Sequence, residues 1–182
     1  MPHFIDIKVS NKIGDVYSNI HLSLVEIESK SIGICLPAIE DNKPGNVIRL
    51  IGAESTLVKF LISFSRFITP SMELTDIEPA PPSPVHAVVT RVSPKFSMVR
   101  LHRLIKRGTI KASDIPAYKK QIMEEELEHR QYPFLKTKSL STNKLYVRRI
   151  HHAIKMKPKE GEFDVFGMSV DGATIPVFDI QS

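Results

Sequence analysis

Over its first 79 residues the hydrophobic period of the chain switches between two and about 3.6, and that alternation narrows the fold more than any other feature. HFIDIKV (3–9) carries Phe4, Ile5, Ile7 and Val9 and predicts a strand. From about 12 to 29, Ile13, Val16, Ile20, Leu24 and Ile27 fall on one helical stripe, with Gly14 and Asp15 near its start. Tyr17 and His21 stand four apart at the edge of that stripe. SIGICLP (31–37) and NVIRLIG (46–52) predict paired strands around a turn at 42–45, which reads Asn-Lys-Pro-Gly. A second helix is expected over 54–66 with Leu57, Phe60, Leu61 and Phe64 inward, and MELTDIE (72–78) is expected as a strand. The order β-α-β-β-α-β is the ferredoxin-like arrangement, which hosts many unrelated activities and so leaves function open.

Pro79, Pro81, Pro82 and Pro84 make the next stretch stiff and extended. The chain is therefore expected to be α+β, with a domain over 1–79 and a second over 86–182. The second begins with a strand at about 86–93 and a helix from about Phe96. A further helix, capped by Ser113 or Asp114, runs to His129. Three β-rich runs follow, PFLKTKS (133–139), KLYVRRI (144–150) and FDVFGMS (163–169), and TIPVF could add a last short strand.

Function is most legible in 91–107, RVSPKFSMVRLHRLIKR. At 100° per residue, Arg100, Arg103 and Arg107 share a narrow arc that Lys106 widens, while Met98, Leu101 and Ile105 share the other side. Each guanidinium is a permanently charged planar fork that suits phosphate oxygens. Taken alone, such a run is equally well a solvated helix face. The charge distribution favours a polyanion. Residues 91–152 hold 15 Lys or Arg against 5 Asp or Glu, a balance of +10, and the remainder holds 10 against 15, or −5.

Other classes fit less well. No apolar run approaches the roughly 20 residues of a membrane span, the N-terminus lacks a signal peptide's layout, and the cations do not lie on one amphipathic helix with apolar anchors. The single cysteine, Cys35, lies in an apolar run and reads as a buried thiol in a reducing cytoplasm. EEELEH (124–129) offers carboxylates three and four residues before His129, but a di-metal bundle site needs that motif twice, so a solvated face is the better reading. No zinc spacing and no glycine-rich phosphate loop is present, and no cofactor or metal is expected.

Metal-free chemistry remains. RNA carries its own nucleophile in the 2′-hydroxyl, so a protein needs a base, alignment and charge stabilisation. Histidine is the natural base, and seven are present. His21 by itself reads as a core-edge histidine. KSLSTNKLY (138–146) gathers Lys138, Ser139, Ser141, Thr142 and Lys144 in a turn, where hydroxyls could orient a histidine or simply stabilise the turn. Tyr146 could stack on a base or face the core.

Together these pieces resemble the type I-F CRISPR endoribonuclease family, stem-loop-binding enzymes that cut CRISPR precursor RNA within its repeats. The resemblance rests on His21 followed by the Ile-Gly of SIGICLP, on TRVSPK leading into the basic helix, on PFLKTKSLSTNKLY, and on GEFDVFGMSVDGATIPVF. It implies a ferredoxin-like domain, and a second domain whose basic helix lies along the major groove of a repeat hairpin. That groove is deep and narrow in A-form RNA, and phosphate contacts near a helix end avoid the difficulty. It implies His21 as general base, Ser139 as the serine holding the catalytic geometry, Arg91 as a reader of guanine and Tyr146 in place of a stacking phenylalanine. Cleavage would need no metal, leave a 2′,3′-cyclic phosphate, and leave the enzyme on its product as a subunit of the crRNA surveillance complex.

This chain departs from the family pattern at two positions. Phe166 stands where the family has tyrosine, and Ser93 where a glutamine partners the arginine. The basic helix is also interrupted by His102 and Leu104, which shifts weight to Lys95, Lys136, Lys138 and Lys144. Two rivals follow: an RNA-hairpin-binding subunit that has lost the cut, and a basic adaptor whose partner is protein.

Overall fold

A computed structural model of the protein describes residues 1–138 and 144–180. Strand β1 (His3–Val9) is followed by α1 (Ile13–Glu26), β2 (Gly33–Cys35), β3 (Val47–Gly52), α2 (Glu54–Phe64), β4 (Met72–Leu74) and β5 (Glu78–Pro79). The first sheet reads β2-β3-β1-β4, with β5 also paired to β1, and each of these pairings is antiparallel. The run 72–78 is thus two short strands rather than one. Between them Thr75 hydrogen-bonds Asp6 twice, its Oγ1 accepting from the Asp6 N–H and its own N–H donating to the Asp6 carbonyl, both at 3.0 Å. Helix α1 stops before Ser29 because Glu28 turns to φ 50°. Its inward stripe is Val16, Tyr17, Ile20 and Leu24, and that of α2 is Leu57, Phe60 and Phe64.

The prolines carry the chain into a second sheet. It is built from β6 (His86–Val92), β7 (Phe134–Lys138), β8 (Leu145–Lys155) and β9 (Ile175–Pro176) in the order β7-β8-β6-β9. Strand β8 outruns the expected 144–150 because β6 pairs along it from His86↔Lys155 to Val92↔Arg149. Between β6 and β7 lie α3 (Met98–Lys106) and α4 (Ile115–His129). Helix α3 starts on the Ser97 side chain, which accepts from the Arg100 N–H. It ends at Gly108, φ 65°, where the Gly108 and Thr109 N–H groups return to the carbonyls of Ile105 and Leu104.

The mixture of helices and antiparallel sheets is an α+β architecture, and both sheets contribute to one buried cluster. Ala87, Val89, Leu135 and Ile150 of the second sheet join the residues beneath α1 and α2. Gly14 lets the first turn of α1 settle on β7, since a methyl there would land on the Lys136 carbonyl. Cys35 is buried, and burial pushes its thiol up to about 12. Among the described residues no helix is long and apolar enough to cross a membrane.

Strand β8 also half-buries an imidazole. Burial, helped by neighbouring His151, pushes His152 down to about 4. The unfolded chain takes up this proton near pH 6.5 and the folded chain does not until about pH 4. The contribution is therefore complete above pH 6.5 and lost as pH falls toward 4, by up to about 3 kcal/mol. Urea unfolding between pH 7 and 4.5 should show a shallower acid-side fall in a His152→Gln variant than in the parent chain.

Candidate active site

His21 lies in the C-terminal half of α1, partly exposed at the edge of the stripe that Tyr17, Ile20 and Leu24 bury. Two contacts fix its ring. Nδ1 lies 2.7 Å from the Val165 carbonyl, and the ring stacks on Phe166 with centroids 3.8 Å apart and planes 18° apart. A carbonyl only accepts, so Nδ1 carries a proton and Nε2 of the neutral ring keeps its lone pair.

Both contacts come from a turn rather than the strand expected at 163–169, where only the bridge Phe163↔Ser169 is β-paired. Asp164 and Gly167 explain the difference. Asp164 Oδ1 accepts the Phe166 and Met168 N–H groups at 2.8 and 2.9 Å, and Gly167 takes φ 71°. The Gly167 N–H returns to the Asp164 carbonyl and the Asp164 N–H to the Met168 carbonyl, closing a tight loop. The loop is tied to the first half of the chain at two points. The Ile34 N–H donates to the Gly167 carbonyl, and the Tyr17 hydroxyl donates to the Phe166 carbonyl at 3.0 Å. Burial raises the Tyr17 phenol well above its ordinary range, so it stays a donor.

Arg148 of β8 lies behind Phe166. It is 3% exposed, its guanidinium carbon is 3.9 Å from the Phe166 centroid, and the Tyr146 and Tyr17 rings are 5.5 and 5.7 Å away. Its Nη2 donates to the Tyr146 hydroxyl at 3.3 Å. Burial would raise the Tyr146 phenol, but hydrogen bonds from Thr137 and Arg148 and the charges of Arg148 and Arg91 outweigh it and hold the phenol below its ordinary value. Tyr146 is thus neither buried nor free, at 37% exposure.

The structure therefore gathers His21, Phe166 and Tyr146 of the expected residues, with the charge of Arg91 acting on Tyr146. Arg91, Ser93, Lys95, Lys138 and Lys144 are exposed at strand ends and in the connection to α3. Ser139, Ser141 and Thr142 lie outside the described residues, which resume on either side with Lys138 paired to Leu145 and Thr137 to Tyr146. On α3 and at its C-cap, Arg100, Arg103, Lys106 and Arg107 are all exposed. The apolar side is narrower than expected: Leu101 is buried, while Met98 and Ile105 are 43% and 44% exposed. A groove of about 480 Å³ runs between α3, α4 and the second sheet, lined by Val92, Phe96, Met98, Val147 and Arg149 among others.

Three participants were not apparent as such from sequence. The Val165 carbonyl is main chain and leaves no signature. Arg148 is one cation among many in the sequence, although strand alternation puts it on the same face as Ile150. Glu125, read as a solvated residue, accepts the Lys95 and Phe96 N–H groups at 2.7 Å each and lies 3.9 Å from His129. Burial pushes its carboxyl up, but these two bonds outweigh that, and the group sits below the ordinary carboxylate range. Glu125 thereby fixes the chain just before the basic helix. For a protein that binds and cuts an RNA hairpin, as the resemblance implies, Glu125→Ala is expected to weaken hairpin binding about tenfold, with single-turnover cleavage at saturating protein close to that of the parent. Titration of labelled hairpin by gel shift measures it; two bonds to a charged acceptor are worth roughly this factor or more.

The chain is 28% identical over 189 residues to the CRISPR-associated endonuclease Cas6/Csy4 of Escherichia coli (strain UTI89 / UPEC), covering 98% of this chain and 100% of that protein. Residues 3–178 match the family model described as CRISPR-associated protein (Cas_Csy4). With almost the whole of its length matched, the chain belongs to the Cas_Csy4 family of CRISPR-associated proteins.

Proposed function

We propose that this protein is a metal-independent endoribonuclease that binds the stem-loop of a CRISPR repeat and cuts precursor crRNA through the 2′-hydroxyl beside the scissile phosphate. The observation that carries the proposal is the setting of His21: one nitrogen is held by the Val165 carbonyl, so the other is free to accept a proton. In this reading Nε2 removes the 2′-hydroxyl proton and the 2′-oxygen attacks phosphorus. The bond to the 5′-oxygen breaks, that oxygen takes up a proton, and the products are a 2′,3′-cyclic phosphate and a 5′-hydroxyl. Arg91, Lys138 and Lys144 supply positive charge for the phosphate oxygens, Ser139, supported by Ser141 and Thr142, holds the ribose geometry, and Tyr146 stacks on a base.

The exposed cations of α3, with Lys95, bind the hairpin's phosphates, and Arg91 with Ser93 meets a base pair near the foot of the stem. The protein stays on its product as a subunit of a type I-F surveillance complex. Its first half, 1–79, is read as a ferredoxin-like domain, since the β-α-β-β-α-β order and the β2-β3-β1-β4 sheet fit that fold. Residues 86–182 are read as the hairpin-binding domain.

Phe166 cannot offer the hydroxyl found in the family pattern, yet His21 keeps an anchor because a main-chain carbonyl provides it. The test is a labelled repeat hairpin incubated with protein and EDTA. Cleavage to a cyclic-phosphate end is expected, and a deoxyribose just 5′ of the cut should stop it. A shifted band without product would show a binding subunit in place of a nuclease.

A further inference from the structure

Phe166 has two neighbours at stacking distance. The His21 centroid is 3.8 Å from its centroid and the Arg148 guanidinium carbon is 3.9 Å from it. A single ring face has room for one such group at its centre, so the two lie on opposite faces. The result is a three-layer stack, imidazole on phenyl on guanidinium. Its ends come from α1 and β8 and its middle from the 164–168 turn.

Resting on the reading of His21 as the general base, we propose that Arg148 is a positioning residue, whose guanidinium backs the Phe166 ring and through it sets the plane of the imidazole. Phe166 has no polar atom with which to hold His21, so it can act only by its face. A phenyl ring between an imidazole and nothing could tilt, whereas a cation centred behind it is attracted to that face and opposes tilting. The ends of the stack are fixed independently: His21 by the Val165 carbonyl, and Arg148 by the Tyr146 hydroxyl.

Two other roles fit the geometry less well. At 3% exposure and with a ring in front of it, Arg148 is poorly placed to touch a phosphate. A role in the fold alone does not account for its charge either. Among the described residues no carboxylate pairs with Arg148, its Nε is buried without a partner, and three aromatic rings surround it. An apolar side chain would suit such a place at lower desolvation cost.

Arg148→Met should fold, since among the described residues it strips no buried acid of its partner. Arg148→Met and Phe166→Leu are each expected to slow single-turnover cleavage of the repeat hairpin by roughly 10- to 100-fold, the scale of a small misplacement of a reacting group. Hairpin affinity should stay within about twofold. The double variant should be no slower than the slower single one, because both remove the same stack. In the free protein, ring-current displacement of the His21 carbon-bound protons should collapse in both single variants.

Unchanged rates, additive losses, weakened binding as the main effect, or undisturbed His21 resonances would each overturn the proposal. So would a failure of both Arg148→Met and Arg148→Lys to fold, which would make Arg148 a fold residue. If the parent chain cuts no hairpin, the nuclease reading fails, and the resonance measurement still decides whether Arg148 holds the imidazole.

Discussion

Replacing His21 with alanine is expected to abolish cleavage of a repeat hairpin while leaving its binding within about twofold. Loss of a general base alone removes roughly 10²- to 10⁴-fold. His21 is on α1, whereas the exposed cations that would grip the phosphates belong to the second half of the chain. The turn that presents Val165 and Phe166 should survive, because Asp164, the Tyr17 hydroxyl and the Ile34 N–H hold it without help from the imidazole. Single-turnover cleavage and gel shift on the same RNA read the two effects separately. A variant that still cuts at more than about one tenth of the parental rate would put the base elsewhere, since even the low end of that range is larger.

Asp6→Ala is expected to produce the largest loss of stability. Arg49 is 1% exposed and makes a two-pronged pair with Asp6, Nε to Oδ1 and Nη2 to Oδ2, both at 2.7 Å. Its other hydrogen bonds go to the Phe178 and Asp179 carbonyls at 2.6 and 3.2 Å, and its guanidinium carbon lies 3.9 Å from the Phe178 centroid. Removing the carboxylate leaves a buried cation with, among the described residues, carbonyl dipoles as its acceptors, which costs about 3–5 kcal/mol. The double change Asp6→Leu with Arg49→Met should cost less than Asp6→Ala, since it leaves no charge behind. Urea unfolding of the two variants and the parent gives the comparison.

How far the sequence carried can be judged at particular residues. Strong periodicity located the inward stripes of α1 and α2, and the strands His3–Val9 and Val47–Gly52, to within a residue or two. Periodicity failed at 163–169, where alternating Phe163, Val165 and the later apolar residues imitate a strand. There the outcome was set by Asp164 and Gly167, one capping amides and the other supplying a positive φ. It misjudged α3 for a related reason: in a nine-residue helix with one buried leucine, the apolar arc says little about what meets a core. His21 stood out only through the resemblance of its surroundings to a family, because an imidazole at a stripe's edge has no mark of its own. Its partners were hidden for a deeper reason. Val165 acts through main chain, and Arg148 sits 127 positions further along, so only folding brings them beside His21.

The Arg49 contacts carry a consequence for how the polypeptide is made. Arg49 is translated early, with Asp6 already behind it, but the carbonyls of Phe178 and Asp179 come 129 and 130 positions later. Until those residues have emerged, the guanidinium in the first sheet lacks these two acceptors. The Arg49 site is thus completed only by residues 178–179, and a ribosome stalled before them would leave a buried cation short of two of its acceptors.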